Sequence, residues 1–206
     1  MKKISIYIPV YNQQELVLRA LESIPKRDDI QILMCDDGST DGSYEVMDRF
    51  EHPGEIVLMK NKENMGAAYT INRLLDKCEG EYVFSLDNDD YLYTDEFERA
   101  MDELDGTDLV YIDMVVNNGD TWKMTPDTKN LYCAGFTKFV RREFLGNTRH
   151  PLGIWCSDWH YFQDLQAKHP TEKFTGIAAY HYNHPREGSM IWLASKGMIP
   201  EGYKVV

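Results

Sequence analysis

Short apolar blocks alternate with stretches of helical spacing through the first half of the chain. Lys3 to Val10 puts Ile4, Ile6, Ile8 and Val10 on one face, which predicts a strand. Val17, Ala20, Leu21 and Ile24 then recur at helical spacing, and Pro25 closes that helix. Ile30 to Cys35 reads as a second strand, followed by a polar loop and a helix through about Phe50. Ile56 to Met59 is a third strand, and Ala67, Ile71, Leu74, Leu75 and Cys78 make the next helical stripe. Tyr82 to Leu86 is a fourth strand, Phe97 to Leu104 a helix, and Leu109 to Val116 a further strand. Strands of nearly continuous apolar residues, separated by helices, predict an α/β fold with a mostly parallel sheet covered on both faces. In such sheets ligands bind beyond the carboxyl ends of the strands. The polar clusters fall there: Asn12, the Asp36-Asp37 pair and the acidic run after Leu86. After residue 117 the pattern loosens, and histidine and tryptophan become more frequent.

Composition narrows the classes. The 206 residues carry a formal charge of −12, with 43% hydrophobic and 12% aromatic residues. A chain of this size and content fills one core and is not disordered. An acidic surface repels phosphodiesters, so nucleic acid is not an expected partner. No run approaches the ~20 apolar residues that span a bilayer, which leaves peripheral contact as the only membrane association expected. The four cysteines are far apart, with no metal-ligand spacing, and read as buried free thiols in a reducing, cytoplasmic setting. The apolar tail Met190-Ile191-Trp192-Leu193 reads first as core, with a homodimer seam or a membrane contact as its other uses.

Asp87-Asn88-Asp89-Asp90 places three carboxylates in four residues at a strand end. Taken alone it reads first as a solvated turn capping the next helix, since aspartate is common in turns. Its other reading is a site for a hard divalent ion, which takes one or two carboxylates plus substrate phosphates. The loop Asp36-Asp37-Gly38-Ser39-Thr40-Asp41-Gly42-Ser43 permits close backbone approach. It is neither a GxGxxG nor a GxxxxGK[ST] phosphate loop.

Four segments follow one another in order: Pro9-Val10-Tyr11-Asn12, the Asp36–Ser43 loop, Asn64-Met65-Gly66-Ala67-Ala68, and Gly80 to Asp90. Together, over roughly residues 1 to 105, they resemble family 2 of the nucleotide-sugar glycosyltransferases. The resemblance implies a GT-A (Rossmann-like) fold with a smaller acceptor-side region. The chain is then one domain over 1–206, with a nucleotide-sugar-binding half (1–116) and an acceptor-side half (117–206). It also implies that Pro9, Tyr11 and Asp36 line the base pocket, Asp36 accepting from an imide N–H of a uracil-like base. Asn12 and Asn88 join that donor-binding set, while Asn64, Gly66 and Ala67 pack near base and ribose. Asp87 and Asp89 match the outer carboxylates of the D-x-D motif. There Asp87 lies near the ribose, and Asp89 sits on a Mn2+ or Mg2+ ion that bridges the diphosphate.

Downstream the resemblance is looser. Asp158, in Trp155-Cys156-Ser157-Asp158-Trp159, matches the aspartate that serves as general base, with Ser157 where the family has glutamate. Asn183 stands where arginine is frequent, so Arg186 is expected to supply the positive charge. His184, and with less weight His181 and Asp87, are candidate further metal ligands; Trp155, Trp159 and Trp192 are candidates for a sugar-stacking wall or for core. The implied activity is a metal-dependent, inverting transfer from a nucleotide sugar, with a UDP-linked donor expected. The acceptor is a hydroxyl of a glycan, lipid-linked or protein partner, in surface glycan assembly. The alternative is a catalytically weak or inactive nucleotide-sugar-binding protein of the same fold.

Overall fold

The structure is a computed structural model that describes residues 2–130, 134–154, 157–187, 189, 193 and 196–198. The chain runs β1 (Ile4–Val10), α1 (Val17–Glu22), β2 (Ile30–Asp36), α2 (Ser43–Asp48), β3 (Glu55–Lys60), α3 (Ala67–Leu75) and β4 (Tyr82–Ser85). It continues with β5 (Tyr91–Leu92), α4 (Thr94–Asp102), β6 (Leu109–Val116), β7 (Thr121–Trp122), β8 (Lys138–Arg141), α5 (Arg142–Leu145), α6 (Ser157–Gln166) and β9 (Glu172–Tyr182). The strands form one sheet in the order β3-β2-β1-β4-β8-β6-β9-β5, with β7 paired to β6.

The first four strands are parallel, β1 lying between β2 and β4. Every residue of β2 is buried, and β1 is buried except at Pro9, so side chains on both faces are covered. Ile4, Ile6, Ile8, Ile30 and Ile32 are wholly buried; removing each from water contributes roughly 1.5–3 kcal/mol. The buried face of α3 (Ala68, Ile71, Leu74, Leu75) packs on β1 and β2. Phe84 of β4 sits 4.9 Å from Phe97 of α4 and 4.8 Å from Phe139 of β8, ring centre to ring centre. That aromatic cluster joins the early strands to the later ones.

The later half is more regular than its sequence pattern. β8 lies antiparallel between β4 and β6, and β9 runs parallel to β6 before pairing with β5. Lys138, a charged residue that is fully buried, starts β8 and hides its apolar character. Only two of the eleven residues of β9 are buried, so it lacks the continuous apolar run of an interior strand. Among the described residues no helix is long and apolar enough to cross a membrane. Cys35 and Cys78 are buried free thiols, pushed up by burial to about 11 and about 12. Cys133, Cys156, Trp155, Trp192 and most of the apolar tail lie outside the described residues.

Candidate active site

The sheet order brings the carboxyl ends of β2, β1 and β4 side by side, and polar side chains tie their loops together. Val10 pairs with Asp36 across β1 and β2. Beyond the strand end Asn12 turns into the left-handed region (φ 51°), which asparagine tolerates better than most residues. There its Oδ1 accepts the Thr40 N–H at 2.9 Å, and its own N–H donates to Ser39 Oγ at 3.0 Å. On the other side Asn88 Nδ2 donates to the Pro9 carbonyl at 2.6 Å. Asn12 and Asn88 thus hold three strand-end loops in one rim.

Asp36 is fully buried at that rim. Its Oδ1 accepts the Ser39 N–H at 3.1 Å, while Oδ2 has no hydrogen-bond partner among the described residues. The Lys60 ammonium, lying over the Tyr44 ring, is 3.4 Å from that oxygen. Asp37 was not singled out by sequence reasoning, yet it organises the neighbouring loop. It accepts the N–H groups of Met65 (2.8 Å) and Gly66 (2.9 Å) and the Asn61 amide (2.6 Å). These bonds fix Asn64, Gly66 and Ala67 at the start of α3, beside Asp36. Gly38 permits the approach: at φ +73° a Cβ there would stand 2.4 Å from the Glu63 carbonyl carbon. Tyr11 is 42% exposed, open at the mouth of the rim.

The acidic run occupies the β4 end of the same rim. Asp90 is buried, accepting the Tyr180 hydroxyl at 2.6 Å and the Asn183 N–H at 2.8 Å. Burial, followed by the Asp89 charge, pushes its carboxyl up to about 7. Asp87 is pushed well above the carboxylate range by burial, then by Asp90, Asp89 and Asp158 in turn. Asp89 instead meets Arg186, Nη2 to Oδ2 at 2.7 Å, and its carbonyl accepts from Arg19 (2.6 Å) and Asn183 (3.2 Å). Arg186 Nε is buried with no partner among the described residues. The two anchors Tyr180 and Asn183, on and just after β9, lie some ninety residues from the acids they hold.

Of the histidines weighed as metal ligands, His181 engages both ring nitrogens. Nδ1 is 3.1 Å from the Tyr93 hydroxyl and Nε2 3.0 Å from Asn117 Oδ1, and the ring stacks on Tyr91. His184 stacks on Tyr182, its ring making no hydrogen bond among the described residues. Among those residues no three His, Cys, Asp or Glu side chains form a ready-made metal cage.

Asp158 lies in the first turn of α6, its side chain 45% exposed. Its charge reaches Asp87, so base candidate and acidic rim share one electrostatic field. His150 Nδ1, a residue sequence reasoning passed over, is 3.3 Å from Asp158 Oδ1. Trp159 is 40% exposed beside Asp158.

Comparison with known proteins agrees with this architecture. The family model described as glycosyl transferase family 2 matches residues 5–163. Chondroitin synthase of Escherichia coli is 33% identical over 102 residues, covering 48% of this chain and 15% of the synthase. The chain therefore spans only a small part of that relative. Staphylococcus aureus TarS 1–349, solved with UDP-GlcNAc, superposes with a TM-score of 0.77 at 21% identity, covering 91% of this chain and 60% of TarS. The mannosyltransferase PcManGT of Pyrobaculum calidifontis, solved with GDP-Man and Mn2+, gives 0.74 at 21% identity, covering 94% and 60%. At that identity the two structures establish the shared fold.

Proposed function

Because the chain belongs to glycosyl transferase family 2, we propose that it moves a sugar from a nucleotide-sugar donor to a hydroxyl acceptor, with inversion at the anomeric carbon. One observation carries this reading. Two buried polar atoms on the same rim make no hydrogen bond among the described residues, an acceptor at Asp36 Oδ2, which only the Lys60 ammonium faces at 3.4 Å, and a donor at Arg186 Nε. Unsatisfied buried polar atoms are costly unless something completes them. A nucleobase imide N–H and a diphosphate oxygen have the matching chemistry. Asp36 then selects a uracil-like base, which favours a UDP-linked donor, and Arg186 turns from Asp89 to the diphosphate.

The acidic rim also suits a divalent cation. Asp87 is held above its ordinary range by burial and then by Asp90, Asp89 and Asp158, and Asp90 by burial and then by Asp89, an excess of negative charge that a cation relieves. Asp89 would hold it, with Asp87 or His184 as the further ligand. With no three-residue cage among the described residues, the rest of the shell falls to phosphate oxygens and water, as manganese and magnesium accept. When bound, the ion supplies Lewis-acid neutralisation of the charge gathering on the departing nucleotide.

The chain's own groups do the remainder. Asp158 accepts the acceptor's hydroxyl proton as that oxygen bonds the anomeric carbon and the bond to the phosphate oxygen breaks. Residues 1–116 grip the donor, and 117–206 complete the acceptor side of one domain. Surface-glycan assembly is the role we assign, the acceptor hydroxyl belonging to a glycan, lipid-linked or protein partner.

The test is UDP and GDP release from a panel of nucleotide sugars, with and without Mn2+, in the natural sequence and in Asp89→Ala and Asp158→Ala. Metal-dependent release lost in both variants supports the reading. Tight nucleotide-sugar binding without release supports instead an inactive binding protein, a reading favoured by Ser157 and Asn183 replacing the family's glutamate and arginine. Absence of both overturns the two.

A further inference from the structure

The base candidate Asp158 is backed by a histidine that is itself held from behind. His150 is 2% exposed. Its N–H donates to Asn72 Oδ1 at 2.8 Å, and its carbonyl accepts from Asn72 Nδ2, also at 2.8 Å. One amide of α3 therefore fixes the His150 backbone on both sides. The ring stacks on Tyr161 of α6, centres 4.2 Å apart and planes 12° apart. So placed, Nδ1 points into the fork between Asp158 Oδ1 (3.3 Å) and Ser157 Oγ (3.4 Å), at the start of α6.

The other nitrogen decides the tautomer. His150 Nε2 is buried and has no hydrogen-bond partner among the described residues. A proton on Nε2 would bury an unpaired donor and aim the Nδ1 lone pair at a carboxylate oxygen. With the proton on Nδ1, only an acceptor is left unpaired, a lesser penalty than an orphaned N–H. The N–H then faces the carboxylate. Burial keeps the ring neutral: it lowers the His150 pKa, Asp158 opposes that shift, and the Lys138 ammonium of β8 adds to it.

We propose that His150 is a positioning residue for Asp158. Neutral and protonated on Nδ1, it shares that N–H between Ser157 and Asp158 and holds the carboxylate towards the acceptor. The role rests on the reading of Asp158 as base. Both separations are long for a hydrogen bond, and such contacts commonly tighten only when substrate is present. Through Asn72 the base is also tied to α3, whose entry at Gly66 is held by Asp37.

The test is proton–nitrogen correlation of the histidine rings in the whole chain, labelled with 15N-histidine, at pH 7.5. His52 is the internal standard. Its Nδ1 accepts the Gly54 N–H at 3.0 Å, leaving its proton on Nε2, 2.8 Å from the Pro25 carbonyl. The expected result is a neutral His150 ring protonated on Nδ1, with resonances that move in Asp158→Ala while those of His52 stay. A proton on Nε2, or a His150 signal indifferent to Asp158→Ala, overturns the proposal. His150→Phe assigns the ring; if that variant does not fold, His150→Gln does so in its place.

Turnover gives the second arm. His150→Phe should lower turnover at least tenfold at unchanged donor KM, and His150→Asn, whose amide restores an N–H, should recover most of it. A tenfold rise in donor KM instead would make His150 part of the donor pocket and overturn the role. Retained turnover in Asp158→Ala with the Nδ1 proton in place would defeat the base assignment and leave the contact standing, so the two failures are separable.

Discussion

The two sides of the site are held in different ways. On the donor side Asp37 alone satisfies two backbone N–H groups and an amide, and Asn12 and Asn88 tie three loops together. On the acceptor side Asp158 is nearly half exposed, and its carboxylate is met by His150 Nδ1 at 3.3 Å. A pocket that must grip one rigid nucleotide gains from being built before the ligand arrives, since ordering it on binding costs affinity. A base that must meet an incoming hydroxyl can be set by fewer contacts. The donor rim is therefore the preorganised part, and the acceptor rim is where sequence is free to vary.

The largest effect that would break this contrast is at the base. Asp158→Asn should lower transfer by about 10²–10⁴, the usual range for a general base. UDP affinity, measured by calorimetry, should stay within twofold. If UDP binding fell in step with turnover, the two sides would be one cooperative unit. Next comes Asp36→Ala, which removes from the donor side a buried acceptor that makes no hydrogen bond among the described residues. It should weaken UDP binding roughly 10- to 100-fold, the worth of a charge-assisted hydrogen bond, with maximal turnover little changed. A loss confined to turnover would place Asp36 outside the base pocket.

The same contrast explains what could be read from the chain. The donor half was legible because its parts are local: an apolar strand, a polar tip and a helical stripe within some twenty residues, as in Ile30 to Met47. Asp36, Asp87 and Asp89 stand out because carboxylates beside buried strands demand a reason. Asp37 shows in the sequence only as half of an acidic pair, because its role lies in bonds to Met65 and Gly66, which no local pattern announces. The later half hid itself by different means. A buried Lys138 opens β8, and β9 is half-exposed over most of its length. His150 has no motif; its pairing with Asp158 needs α3, the turn before α6 and α6 to meet. Tyr180 and Asn183 reach Asp90 across ninety residues, a closeness only the sheet order creates.

That long-range link gives a third prediction. The Tyr180 hydroxyl donates to buried Asp90 and accepts the Asp87 N–H at 3.1 Å, while its ring stacks on Phe136. Tyr180→Phe keeps the ring but removes the donor to Asp90 Oδ2 and the acceptor for the Asp87 N–H, while Asp90 Oδ1 keeps the Asn183 N–H. The cost should be about 1–3 kcal/mol of stability, read by urea unfolding, with donor affinity reduced less than in Asp36→Ala. A neutral result would mean that water replaces the hydroxyl and that β9 does not hold the acidic rim.

The smallest effect concerns acid. His150 titrates below its ordinary value because burial disfavours the charged ring, and Lys138 adds to this against the opposing pull of Asp158. The unfolded chain therefore takes up the His150 proton at a higher pH than the folded one does. Its contribution is fully present above the unfolded value near 6.5 and declines as pH falls from there towards the folded value. His52 and His181, also lowered by burial, act in the same direction, the raised carboxyls of Asp87 and Asp90 act against it, and all four are common to both proteins. The change in stability from pH 7.5 to pH 5.5, read by urea unfolding, should therefore be less favourable in the natural sequence than in His150→Phe, the difference isolating the His150 ring. An equal change in both would mean that the ring is protonated as readily in the fold as outside it. A neutral donor facing Asp158 would then give way to an imidazolium, and the acceptor side would be held by a full ion pair, as firmly as the donor rim.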